Sequence, residues 1–332
     1  MSAIPKPNPP DAVLEVQDLS VDIATPWGLL RAVRDASFHV ERSETLCIVG
    51  ESGCGKSITS LAVMSLLPSA AKRRAKKLSL LGEDLLRTSP KRINALRGDR
   101  MAMIFQEPMT ALNPAYTIGN QLMEAYLFHR SGGMAKARER AVELLSKVGI
   151  ASAAERLEQY PHQLSGGLRQ RVMIAMALMC NPELLIADEP STALDVTIQA
   201  QILRLLADLQ KDLGIAMVVI THDLGVVARI AHRVAVMYAG EIVEEGTVHC
   251  VFASPRHPYT RGLISCIPIP GHTARGERLG TIAGVVPHLV GDICGCSFRD
   301  RCAYARPECA AEAPVRIAGE HRWRCIHKEL PA

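Results

Sequence analysis

Aromatic residues are scarce in this chain of 332 residues: two Trp, five Phe and six Tyr, or 4% in all. The 48% hydrophobic content must therefore build a mostly aliphatic core. No apolar run approaches the roughly 20 residues that a membrane-spanning helix needs. The longest, Val172 to Cys180, sits inside an amphipathic pattern. The opening MSAIPKPNPPDAVLEV has no apolar segment of the kind a signal peptide carries, so a cytoplasmic location is expected. Strong charge is lacking too. A formal net charge of +4 is mild, and no nucleic-acid partner is expected. There is no internal repeat and no low-complexity tract.

Cysteine is the exception. There are ten, and five of them fall in the last forty residues. In a reducing compartment such a cluster points to metal ligation rather than to disulfides.

The length exceeds one ordinary core and suggests a large domain with an appendage. Residues 1–11 are rich in Pro and Asn and read as a disordered lead-in. Val13 to Val40 alternates apolar and polar residues, as half-buried strands do. TLCIVG (Thr45 to Gly50), LLIAD (Leu184 to Asp188), IAMVVIT (Ile215 to Thr221) and RVAVMY (Arg233 to Tyr238) are continuous apolar runs, the pattern of buried parallel strands. Helices are expected over Ser57 to Leu67, through much of Thr110 to Cys180, and over Ile198 to Leu213. Strands alternating with helices indicate an α/β fold with a mostly parallel sheet. Periodicity fades after about Gly246, where Pro, Gly, His and Cys become frequent.

GESGCGKS, Gly50 to Ser57, fits G-x-x-x-x-G-K-[ST] between a buried strand and a helix. Gly50, Ser52, Gly53 and Gly55 belong to a loop whose backbone N–H groups can curl around phosphate oxygens. The helix that follows turns its positive end toward the same charge. Lys56 can reach the β- and γ-phosphates, and the Ser57 hydroxyl can ligate Mg2+. About 130 residues on, LLIADEP ends a buried strand in two carboxylates. Asp188 suits Mg2+, and Glu189 suits polarisation of an attacking water as general base. Cys54 occupies a variable position of the loop and is a candidate for sensitivity to thiol reagents.

LSGGLRQR, Leu164 to Arg171, places Ser-Gly-Gly at the start of a helix, a second potential anion site. It resembles the signature motif of ATP-binding-cassette (ABC) ATPases, with Leu168 where many members have Gln. In that family the signature of one subunit closes over ATP held by another. The resemblance implies that Ser165, Gly166 and Gly167 contact nucleotide across a dimer. It makes Gln106 in MIFQEP a residue that senses Mg2+ and the attacking water. It assigns Asp195 in STALD to the dimer interface and His222 in VVITHD to the γ-phosphate. Trp27 lies where the family places an aromatic that stacks on adenine. The implied fold is a P-loop NTPase nucleotide-binding domain over residues 12–250. It has a mostly parallel core sheet, an antiparallel β subdomain and a helical subdomain over about 107–180.

SPRHPYTRGLISCIP, from Ser254, and GCSFRDRCAYARPEC, from Gly295, resemble the tail of dipeptide and oligopeptide importer ATPases. QEPMTALNP, YPHQLSGG and ALDVTIQAQI extend that resemblance. It implies a small irregular Cys-rich domain over 251–332, and peptide uptake driven by ATP hydrolysis at the cytoplasmic face of the cell membrane. The partners it implies are a second homologous ATPase, two transmembrane permeases and an extracytoplasmic binding protein. Haem, nickel chelates and antimicrobial peptides stay open as cargo, and a non-transport ABC ATPase is the other functional class. In the tail the spacing is Cys296-x5-Cys302-x6-Cys309-x15-Cys325. It matches neither the short zinc-finger spacings nor the common ferredoxin ones, so spacing leaves the metal open. The family resemblance favours a [4Fe–4S] cluster on these four cysteines, with Zn2+ as the alternative.

Overall fold

The structure is a computed structural model that describes residues 12–107, 111–190, 195–267, 280–287, 289–291 and 293–330. The expected disordered lead-in (1–11) and residues 191–194 of STALD lie outside the described residues. The chain divides into two compact units. One comprises Met1–Val16, Phe38–Glu44 and Lys77–Val218; the other comprises Gln17–Ser37, Thr45–Lys76 and Val219–Ala332.

Two long strands, β1 (Ala12–Thr25) and β2 (Gly28–Glu41), pass through both units. The alternating stretch from Val13 to Val40 thus forms two long strands. β3 (Thr45–Val49) is buried along its whole length. Helix α1 (Lys56–Val63) ends earlier than the sequence suggested, because Ser65 turns left-handed and Pro68 follows. β4 (Ala71–Arg74) pairs antiparallel with Ser20–Ile23 of β1, and β5 (Lys77–Leu80) pairs antiparallel with β6 (Glu83–Asp84). Both of these pairings are antiparallel, each within its own unit.

After α2 (Pro90–Leu96) comes β7 (Met101–Ile104), then the helical stretch: α3 (Ile118–His129), α4 (Gly133–Lys147), α5 (Ala153–Arg156) and α6 (Gly166–Ala177). β8 (Leu184–Asp188) and β9 (Ala216–Thr221) are buried at every position. Continuous apolar runs serve there because both faces of the sheet are covered. Between them lies α7 (Val196–Leu213), which buries Ile202, Leu203, Leu206 and Leu209 on one face and stops at Gly214 in the left-handed region. In the first unit β8 lies between β7 and the start of β9, with β7 and β8 parallel.

The second unit continues with α8 (Leu224–Ile230), β10 (Arg233–Tyr238), β11 (Glu241–Thr247), α9 (Val248–Ala253) and α10 (Pro258–Ser265). Within it the end of β9 neighbours β3, β3 runs parallel to β10, and β10 pairs antiparallel with β11. The Cys-rich tail carries more regular structure than expected. β12 (Val315–Ala318) and β13 (His321–Arg324) form an antiparallel pair, and β13 adds to β11 through Glu244 and Glu245. Glu244 is buried, and its carboxylate accepts from the N–H groups of Arg256 and His257 at 2.7 and 2.8 Å. His321 Nε2 lies 2.7 Å from the same carboxylate. A buried carboxylate so surrounded is satisfied and ties the tail to the entry of α10.

Candidate functional site

In the second unit the phosphate loop follows β3. A Cβ on Gly50 would stand 2.1 Å from the Met237 carbonyl oxygen, so only glycine fits there. Gly55 caps α1 with φ +105, and a Cβ on it would stand 2.3 Å from the Ala32 carbonyl oxygen. Gly53 by contrast faces open space. These constraints hold the loop curled against β10 and β2 with its helix N-terminus beyond, the form an anion cradle takes. Lys56 is buried and folds back on the loop, donating from Nζ to the carbonyls of Gly50 and Glu51 at 2.8 and 2.9 Å. Cys54 is buried beneath it, and burial pushes its thiol up. Burial and a raised thiol pKa both act against thiolate reactivity at Cys54.

Two other sequence-chosen residues lie in this unit. Trp27 sits at the turn between β1 and β2, 83% exposed, with its N–H donated to Thr25 Oγ1. It presents an open ring face. His222 is exposed just past β9, where the Thr221 hydroxyl accepts from the Asp223 N–H at 3.0 Å and Asp223 caps α8.

In the first unit, parallel pairing of Ile104 with Ala187 carries both chains out of the sheet at the same end. Gln106 and Glu189, two residues further on, then meet: Gln106 Nε2 donates to Glu189 Oε2 at 3.2 Å. Asp188 is buried at the strand end. Glu189 has φ +45, an unfavourable conformation for a non-glycine residue. Ser165 caps α6 by accepting from the Leu168 N–H, leaving Gly166 exposed at the helix start. Asp195 accepts from the N–H groups of Thr197 and Ile198 at 3.1 and 3.0 Å, so its carboxylate caps α7. Gln106 and Asp188, both in this unit, carry hard oxygen donors of the kind Mg2+ takes.

In the tail, Cys296, Cys302, Cys309 and Cys325 line one cavity. Burial pushes the thiols of Cys296, Cys302 and Cys325 up, and neighbouring thiols add to the shift. Among the described residues no three His, Cys, Asp or Glu side chains group to hold a metal ion. Four thiols lining one cavity are soft donors, the kind that Zn2+ or an iron–sulfur cluster takes. Neither the [4Fe–4S] expectation nor its zinc alternative has a formed metal site among the described residues.

The chain is 51% identical over 304 residues to the dipeptide transport ATP-binding protein DppD of Escherichia coli (strain K12), covering 92% of each chain. The chain belongs to the ATP-binding-cassette (ABC) transporter family. As an ABC-type ATPase it matches the family description "ABC transporter" over residues 33–192 and "Oligopeptide/dipeptide transporter, C-terminal region" over 243–309. DppD of Bacillus subtilis (strain 168) is 50% identical to this ABC protein, over 88% of this chain and 87% of that one. Among solved structures it resembles the ATP-binding cassette MJ0796 in a dimeric post-hydrolysis state bound to ADP and Pi. That likeness has a TM-score of 0.63 at 26% identity, over 71% of this chain and 98% of that one. Among the described residues of this ABC ATPase no helix is long and apolar enough to cross a membrane.

Sequence reasoning passed over Glu51, Tyr259 and Arg301. Glu51 stands at a variable position of the loop motif, and its partners lie 208 and 250 residues away, so no local pattern could mark them.

Proposed function

We propose that this chain is the ATP-hydrolysing subunit of an importer of dipeptides or short oligopeptides, at the cytoplasmic face of the cell membrane. The carrying observation is the 51% identity to a dipeptide transport ATP-binding protein across 92% of the chain, tail included. Residues 12–250 form the nucleotide-binding domain and 251–332 the peptide-transporter tail. The chain works beside a second homologous ATPase and two permeases, with an extracytoplasmic binding protein delivering cargo.

Residues Gly50 to Ser57 hold the triphosphate, and Lys56 turns from its two carbonyls to the β- and γ-phosphates. Trp27 offers its ring face to adenine. Ser57, Gln106 and Asp188 are the ligands for Mg2+, which supplies charge neutralisation when bound. Ser165, Gly166 and Gly167 close over nucleotide held by the partner ATPase, with Asp195 at that interface. Gln106 orients water, and Glu189 accepts its proton as the water oxygen attacks the γ-phosphorus. His222 donates a hydrogen bond to the γ-phosphate, and ADP and phosphate leave. Most of the catalysis is positioning and charge stabilisation. The four tail cysteines hold a [4Fe–4S] cluster with a structural role, a reading supported by four thiols lining one cavity. A metal replacing their protons would supply folding free energy to the tail.

The test is uptake of a labelled dipeptide by cells that express the complete transporter, with and without this chain. Dipeptide uptake that depends on the chain and on Lys56 supports the reading. Chain-dependent uptake of nickel chelates or haem, with none of dipeptides, would replace it.

A further inference from the structure

Glu51 is the second residue of the phosphate loop, and three groups grip it. Its carbonyl accepts from Lys56 Nζ at 2.9 Å, and its N–H donates to the Tyr259 hydroxyl at 2.8 Å. Its carboxylate accepts from Arg301 Nη1, 3.0 Å from each oxygen. Arg301 is itself fixed. Nε donates to the Ala283 carbonyl at 2.9 Å and Nη2 to the Ile282 carbonyl at 3.4 Å. The guanidinium lies over the rings of Tyr238 and Phe298 at 5.7 and 5.8 Å, and its side chain is 6% exposed. An Arg so fully committed is a rigid anchor, not a surface ion pair.

We propose that Arg301 is a positioning residue for nucleotide binding: it neutralises Glu51 and holds that carboxylate away from the phosphate cradle. Tyr259 fixes the backbone of the same residue from α10. Through these two contacts the Cys-rich tail sets the shape and charge of the loop's entrance. Without Arg301 an unpaired carboxylate is left beside a site built for three phosphates, and repulsion in a partly buried place weakens binding. The proposal rests on reading Gly50 to Ser57 as the phosphate loop.

The sign of the effect separates this role from simple stabilisation. If Arg301 acts on the charge of Glu51, removing that charge as well should restore affinity. If Arg301 only holds the fold, losing both partners should be no better than losing one. The test uses the full-length chain and displacement of a fluorescent ATP analogue by ATP. Arg301→Met should raise the ATP Kd about five- to tenfold, and Glu51→Gln/Arg301→Met should recover most of that loss. Arg301→Lys keeps the charge but cannot make the ion pair and both carbonyl bonds at once, and should fall between. If Arg301→Met does not fold, the Lys variant and its Glu51→Gln double carry the comparison. A Kd within twofold of wild type in the single variant, or a double variant no better than the single, overturns the proposal. Lys56→Ala is the control for the underlying reading: if it binds ATP like wild type, the loop assignment fails. If only Lys56→Ala loses binding, the Arg301 proposal fails alone.

Discussion

Gln106 and Glu189 share a hydrogen bond of 3.2 Å although 83 residues separate them. The register of β7 on β8 is what joins them, since Ile104 opposite Ala187 brings both strand ends out side by side. The amide and carboxylate proposed to handle the attacking water are thus set by one pair of parallel strands. Glu189 holds its place with a φ of +45, in the left-handed region.

Glu189→Gln should keep the contact to Gln106 and the local backbone while removing the base. ATP hydrolysis should fall at least ~100-fold, with ATP binding retained. Phosphate release and nucleotide retention, measured on the same assembled transporter, check both halves. Wild-type turnover in the variant would remove Glu189 from its assigned role.

Gly55→Ala probes the loop's backbone. The new Cβ would meet the Ala32 carbonyl oxygen at 2.3 Å, at a φ that side chains avoid. Strain and overlap together should cost about 3 kcal/mol, and nucleotide affinity should fall with stability. Denaturant melts with and without ATP would show both. Gly53→Ala meets nothing within 4 Å and should cost less, through its φ of +79 alone.

The core strands were legible because burial on both faces leaves a continuous apolar run, as in LLIAD and AMVVIT. The phosphate loop was legible because its chemistry is local: glycines, a lysine and a hydroxyl within eight residues. β7 was not, since four residues reading MAMI cannot tell strand from helix. β13 reads HRWR and β11 carries Glu244 and Glu245, so neither displays an apolar face, yet they pair. Their polar groups are satisfied by partners far along the chain, such as His321 on Glu244. The Arg301–Glu51 anchor is hidden for the same reason: sequence shows residue types at a spacing, and this contact spans 250 positions.

Asp195 separates capping from catalysis. Its carboxylate caps α7 through Thr197 and Ile198, so Asp195→Ala should cost about 1 kcal/mol of stability. Asn caps as well as Asp, so Asp195→Asn should keep stability. If the residue also serves the dimer interface, Asp195→Asn should lower ATP hydrolysis in the assembled transporter with the melting temperature unchanged. Full activity in Asp195→Asn would confine the residue to its helix.

Cys302→Ser/Cys309→Ser tests the tail. Burial pushes the thiols of Cys296, Cys302 and Cys325 up, so a bound metal group would have to displace their protons. If the four cysteines carry an iron–sulfur cluster, anaerobically purified wild type should hold iron and absorb in the visible, and the double variant should lose both. Because β13 joins β11 independently of the cysteines, the central sheet should persist, and proteolysis should first cut between 280 and 314. Wild-type protein purified without iron, or a double variant with unchanged iron and absorbance, removes the cluster from these residues. The first outcome would leave four thiols, with those of Cys309 and Cys325 buried and packed as small apolar side chains.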